Sequence, residues 1–144
     1  MDLIKLTPHE ITVKLSGMNT AIKCIESDNA SLAIIKKEIG MKKLSVHVQI
    51  WIADLNDFLN VSRKMDLKQI EETALMILTD FYYMNIADIN LVFTRAKKGH
   101  FGELYQSIDG MKIYSWFDKY ATERAQTAYD KQINEHAKIK ERRN

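Results

Sequence analysis

The residues able to do chemistry are scattered along this chain. His9, His47, His100 and His136 each lack a second His or Cys three to five residues away, and no His-Glu-x-x-His occurs. That spacing predicts no metal site. Cys24 is the single cysteine, which excludes an internal disulfide and a multi-cysteine zinc site. No elbow-type motif surrounds any Ser or Cys, so Cys24 is expected as a core thiol. Glu71 and Glu72 are adjacent. On a helix they point about 100° apart and are poorly placed to flank one bond. The expectation is a chain without a catalytic centre, metal or cofactor.

One local cluster stands out. Arg95, Lys97, Lys98 and His100 follow one another with no acid between Phe93 and Gly102, and Phe101, Tyr105, Trp116 and Tyr120 lie close by in the chain. Bases interleaved with aromatics suit a contact with protein or with single-stranded nucleic acid. The plainer alternative is a helix end followed by a turn whose aromatics belong to the core. Lys97 to Gly102 is not a Walker loop, because the lysines precede the glycines. Gly99-x-x-Gly102 has the spacing of a KH clamp loop, but a KH domain needs a sheet that this sequence does not offer.

Charge is uneven although the net value is only +2. From Asp54 to Val92 there are seven acids against three bases. The last residues reverse that bias, with Lys131, Lys138, Lys140, Arg142 and Arg143 against two acids. Such a tail suits phosphates or an acidic partner, or else a solvated helix face.

The elements that must hold these residues read as helices. Gly is 5 and Pro is 1 in 144 residues, and so few breakers favour long helices. Thr7-Pro8-His9-Glu10 is a capping box, followed by Ile11, Leu15, Met18, Ile22 and Ile25. Gly17 is a soft point within that run. A second helix carries Leu32, Ile35 and Ile39 and stops at Gly40. Leu44 to Leu59 starts with strand-like alternation but continues at three-and-four spacing, which predicts one helix. Asp66 with Gln69, and Asn85 with Asp88, open two more. Lys97-Lys98-Gly99 ends the latter, and Asp109-Gly110 opens the last. Its polar second half, from about Thr122, is too thin in apolar residues to bury a stripe. The whole is an all-α, single-domain bundle of five to six helices. A core over residues 1–121 carries a polar, basic helical extension over 122–144. The aromatic-rich last helix also has the composition of a homodimer seam. No apolar run is long enough to span a membrane, no signal peptide is evident, and a lone cysteine fits a reducing cytoplasm.

The segment from Ile86 to Arg124 carries a resemblance. Ala87-Asp88, Leu91, Phe93, Ala96-Lys97, Gly99, Gly102, Tyr105, Asp109-Gly110, Ile113, Trp116, Tyr120 and Glu123-Arg124 form a pattern. It resembles small uncharacterised helical proteins of Bacteroidetes phages and mobile elements. In size and helical build such proteins are similar to phage helicase loaders. The resemblance implies a non-catalytic accessory in the host cytoplasm that binds a helicase or similar partner in replication. Two alternatives stand beside it: an anti-CRISPR inhibitor of an RNA-guided nuclease or its guide RNA, and a direct nucleic-acid binder. The residues expected to make contact are Arg95, Lys97, Lys98, His100, Phe101, Tyr105, Trp116, Tyr120 and Arg124, with the basic tail.

Overall fold

A computed structural model describes residues 2–102 and 107–143. The expected all-α single domain with a long C-terminal helix is what the chain forms. Seven α-helices occur among the described residues: α1 Pro8–Lys14, α2 Ala21–Glu26, α3 Leu32–Ile39, α4 Met41–Phe58, α5 Leu67–Asp80, α6 Ile86–Lys97 and α7 Gly110–Arg143. A short 3-10 turn, Leu3–Lys5, precedes them. The count exceeds the expected five to six because the first apolar run is two helices. α1 ends before Gly17, and Thr20 caps α2 by accepting from the Lys23 amide. Residues 44–50 are helical, inside α4.

Side chains set most of the helix starts. Thr7 and Glu10, Asp66 and Gln69, and Asn85 and Asp88 form reciprocal capping boxes. Each satisfies amides that the first helical turn leaves without partners. Gly40 separates α3 from α4 at a φ of +89°, a conformation that a side chain would strain.

The core forms around α6. Every residue from Ile86 to Phe93 is buried, which requires neighbours on all sides. Those neighbours are α1, α2, α4 and α7. Trp51 of α4 stacks on Phe93 with ring centroids 5.7 Å apart, and Phe93 meets Phe117 of α7 edge-on at 5.8 Å. Each such pair adds about 0.5–1.5 kcal/mol beyond burial. The Trp51 indole N–H donates to His47 Nε2 at 3.1 Å, so His47 must keep that nitrogen unprotonated. Burial pushes its pKa down, opposed by a backbone hydrogen bond at Ile4.

The connection from α4 to α5 is held by one amide. Asn56 donates to the Met65 carbonyl and accepts from the Met65 amide, both at 3.0 Å. Gly110, the first residue of α7, lies against α5. A Cβ there would overlap Thr73 Oγ1.

α7 has 34 residues, about 50 Å of helix at 1.5 Å per residue. Its inner face is buried at Ile113, Trp116, Phe117 and Tyr120. Half-buried positions continue along α2 as far as Lys131, whose ammonium lies 3.7 Å from Glu26. The exposed projection therefore begins after Lys131, further along than the composition break near Thr122. No described helix is long and apolar enough to cross a membrane.

Candidate functional site

Asp88 sits at the centre of the interface between α6 and α7, and it is fully buried. As the third residue of α6, one carboxylate oxygen accepts from the Asn85 amide at 2.8 Å. The Tyr120 hydroxyl donates to the other oxygen. Arg124 brings its Nε within 3.2 Å of both. The Asn85 side chain extends the network by donating to the Cys24 carbonyl at 3.0 Å. A buried carboxylate is tolerable only when paired and fully hydrogen-bonded, and Asp88 is both. Burial, with the negative charge of Asp88, drives the Tyr120 hydroxyl pKa far up. The Cys24 thiol is raised to about 11, mostly by burial and then by Asp88. It is held as a thiol, away from the nucleophilic form.

This network changes the reading of three residues expected to touch a partner. Arg124 is spent on Asp88, and its guanidinium also lies 5.6 Å from the Tyr83 ring centre. Tyr120 is 1% exposed and Trp116 is 5% exposed. Both belong to the core because the apolar face of α7 must bury against α5 and α6. Trp116 still shapes the surface, since Phe101 stacks on it at 5.8 Å with ring planes 13° apart.

The remaining cluster residues part company. Lys97 turns toward α4, where its ammonium pairs with Asp54 at 2.5 Å and lies over the Phe58 ring. Arg95 turns the other way, forming a fork with both Glu123 oxygens at 3.0 Å while covering the Tyr120 ring. Lys98 and His100 are exposed. Helical spacing explains the split. Arg95 and Lys97 are two residues apart, so their side chains leave α6 in widely different directions. Tyr105 lies outside the described residues. In the tail, Lys131 is paired with Glu26 and Glu135, whereas Lys138, Lys140, Arg142 and Arg143 project from the exposed end of α7.

Two depressions adjoin Arg95. The first, of about 250 Å³, brings together Arg95, His100, Phe101, Lys119, Tyr120 and Glu123. The turn that places His100 and Phe101 is built on Gly99 and Gly102, with φ of +78° and +101°. The second, of about 280 Å³, lies between α1 and α6 and includes Asn90, Thr94, Arg95 and Lys98. Sequence reasoning missed Lys119 and the α1 side of this groove. The signal available was Asn90, a polar residue between Ile89 and Leu91 in the apolar middle of α6. Among the described residues, no group of three or more His, Cys, Asp or Glu side chains could hold a metal ion.

The architecture defines a helical domain whose central helix is tied to a long terminal helix by a buried acid–tyrosine–arginine network. The chain belongs to a family of unknown function, DUF6633, whose pattern matches residues 64–141. That span runs from just before α5 to near the end of α7 and contains Asp88, Tyr120 and Arg124. No curated protein and no solved structure matches the chain.

Proposed function

We propose that this protein is a non-catalytic accessory of a phage or mobile element that binds a nucleoprotein partner, first among candidates a replicative helicase complex. The observation that carries the reading is the surface around Arg95. It gathers His100, Phe101, Lys119 and Lys98 beside two adjoining depressions, on helices fixed by the buried Asp88 network. Loops on rigid frames are where binding residues concentrate. The exposed basic end of α7 offers a second point of attachment on the same molecule.

The test is affinity capture of the tagged protein from cells carrying the element, with and without nuclease, read by mass spectrometry. Recovery of a replicative helicase by the wild type, and its loss in Phe101→Ala, supports the reading. Recovery of an RNA-guided nuclease in its place, with target cleavage blocked at stoichiometric amounts, would replace it with an inhibitor.

A further inference from the structure

The groove between α1 and α6 sets polar side chains among the apolar Leu15, Met18 and Leu91. Thr12 and Ser16 of this groove come from α1 and the short segment after it. Asn90, Thr94, Arg95 and Lys98 come from α6 and its end. No acidic side chain is among its described lining residues. Asn90 is the informative member. It is 4% exposed, and its Oδ1 accepts from the hydroxyls of Thr12 at 2.8 Å and Thr94 at 3.4 Å. Its Nδ2 finds no partner among the described residues and is not sealed in, so it opens on the groove. A donor that water reaches can exchange that water for an acceptor on a ligand.

Arg95 lines this groove and also the neighbouring depression that holds His100 and Phe101. Arg95 therefore borders both, with its guanidinium held on Glu123 at the edge of the second. One side offers the Ser16 hydroxyl, the Asn90 amide and the Lys98 ammonium as donors, the Thr12 and Thr94 hydroxyls being already given to Asn90. The other offers a ring surface, Phe101, backed by Trp116. That division matches a single nucleic-acid strand, whose phosphates need donors and whose bases need a stacking surface.

We propose that the α1–α6 groove binds the phosphate backbone of a single strand, with Asn90 and Lys98 donating to phosphate oxygens and a neighbouring base lying on Phe101. The site rests on the reading of a nucleoprotein partner and names its nucleic-acid half. Arg95, Lys97, Arg124 and Tyr120 donate nothing to the strand, because each is committed elsewhere.

The experiment is fluorescence anisotropy of the full chain with a short, labelled, mixed-sequence single strand, as DNA and as RNA, over a range of salt. The wild type is expected to bind with an affinity that falls steeply as salt rises. Ser16→Glu and Lys98→Glu, both exposed positions, are each expected to weaken binding by about tenfold or more without lowering the melting temperature. Equal affinity in both variants, or none in the wild type, overturns the proposal. A parallel titration with inorganic phosphate follows the Asn90 side-chain amide by NMR. A shift with the strand supports the site. A shift with phosphate alone overturns the strand in favour of a small-anion site. The two readings fail separately. Nuclease-resistant capture of a protein partner without strand binding removes only the groove proposal. Strand binding without any captured partner removes only the accessory role.

Discussion

Arg124 of α7 lays its Nε against both carboxylate oxygens of Asp88 of α6, at 3.2 Å each. Asp88 is fully buried, and the Arg124 side chain is 17% exposed. One partner is therefore inside the fold and the other at its edge. This pair, with the Tyr120 hydroxyl, fixes how α7 crosses α6, and hence the direction in which the basic end leaves the domain.

Asp88→Ala is expected to destabilise the fold by about 3–5 kcal/mol, because it leaves a half-buried guanidinium and a buried hydroxyl without their acceptor. It also removes the acidic half of the capping box at Asn85. Tyr120→Phe removes one hydrogen bond to a charged group and should cost less, about 1.5–3 kcal/mol. Urea denaturation of both variants checks the order. Asp88→Ala milder than Tyr120→Phe would refute the central place given to the carboxylate.

Gly110→Ala should cost about 1–3 kcal/mol through overpacking against Thr73. Combining it with Thr73→Ala should return part of the loss, since the overlapping oxygen is gone. A double-mutant cycle read by thermal melting gives the coupling directly. Additive effects would mean that α5 and α7 do not meet closely at this point.

His47 sets a pH dependence. Its folded pKa is lowered, so the unfolded chain takes up the proton first as pH falls. No penalty exists well above the unfolded value of about 6.5. Below that value stability declines, until the pH reaches the folded pKa. The melting temperature should therefore begin to drop as pH falls through about 6.5. His47→Gln, which keeps an acceptor for the Trp51 indole, should flatten that drop. An unchanged slope in the variant would place its origin elsewhere.

Removing residues 132–143 should leave the melting temperature nearly unchanged, because these residues lie beyond the last half-buried position of α7. Circular dichroism should lose only the helix that was deleted. A large fall in melting temperature would show that the projection is a working part of the core.

The helices were legible in the sequence where local chemistry decides them. Thr7–Glu10, Asp66–Gln69 and Asn85–Asp88 cap within three residues, and Gly40 and Gly99 stop helices by backbone geometry alone. The break between α1 and α2 was less legible, because Ile11, Leu15, Met18 and Ile22 keep helical spacing across it. The site was legible in its residue types and not in its assembly. Asp88 read as a cap, while its second role depends on Tyr120 and Arg124 arriving from more than thirty residues away. Arg95, Lys97 and Arg124 read as free cations because their partners Glu123, Asp54 and Asp88 cannot be paired with them by local spacing. Trp116 and Tyr120 were expected at a contact, with the core as the plainer alternative, and burial favours the alternative, because periodicity marks an apolar face without saying what covers it. The α1–α6 groove could not be found from spacing, since Thr12 and Asn90 are 78 residues apart.

The proposed contact surface is the corner around Phe101. Site-specific photo-crosslinking tests it most directly. A benzophenone side chain is placed at position 101 in one variant and at Leu75 on the exposed outer face of α5 in another. Each is irradiated in cells that produce the protein. The account predicts a discrete crosslinked species from position 101 and none from position 75. A product from position 75 alone would contradict it and move the binding surface to α5.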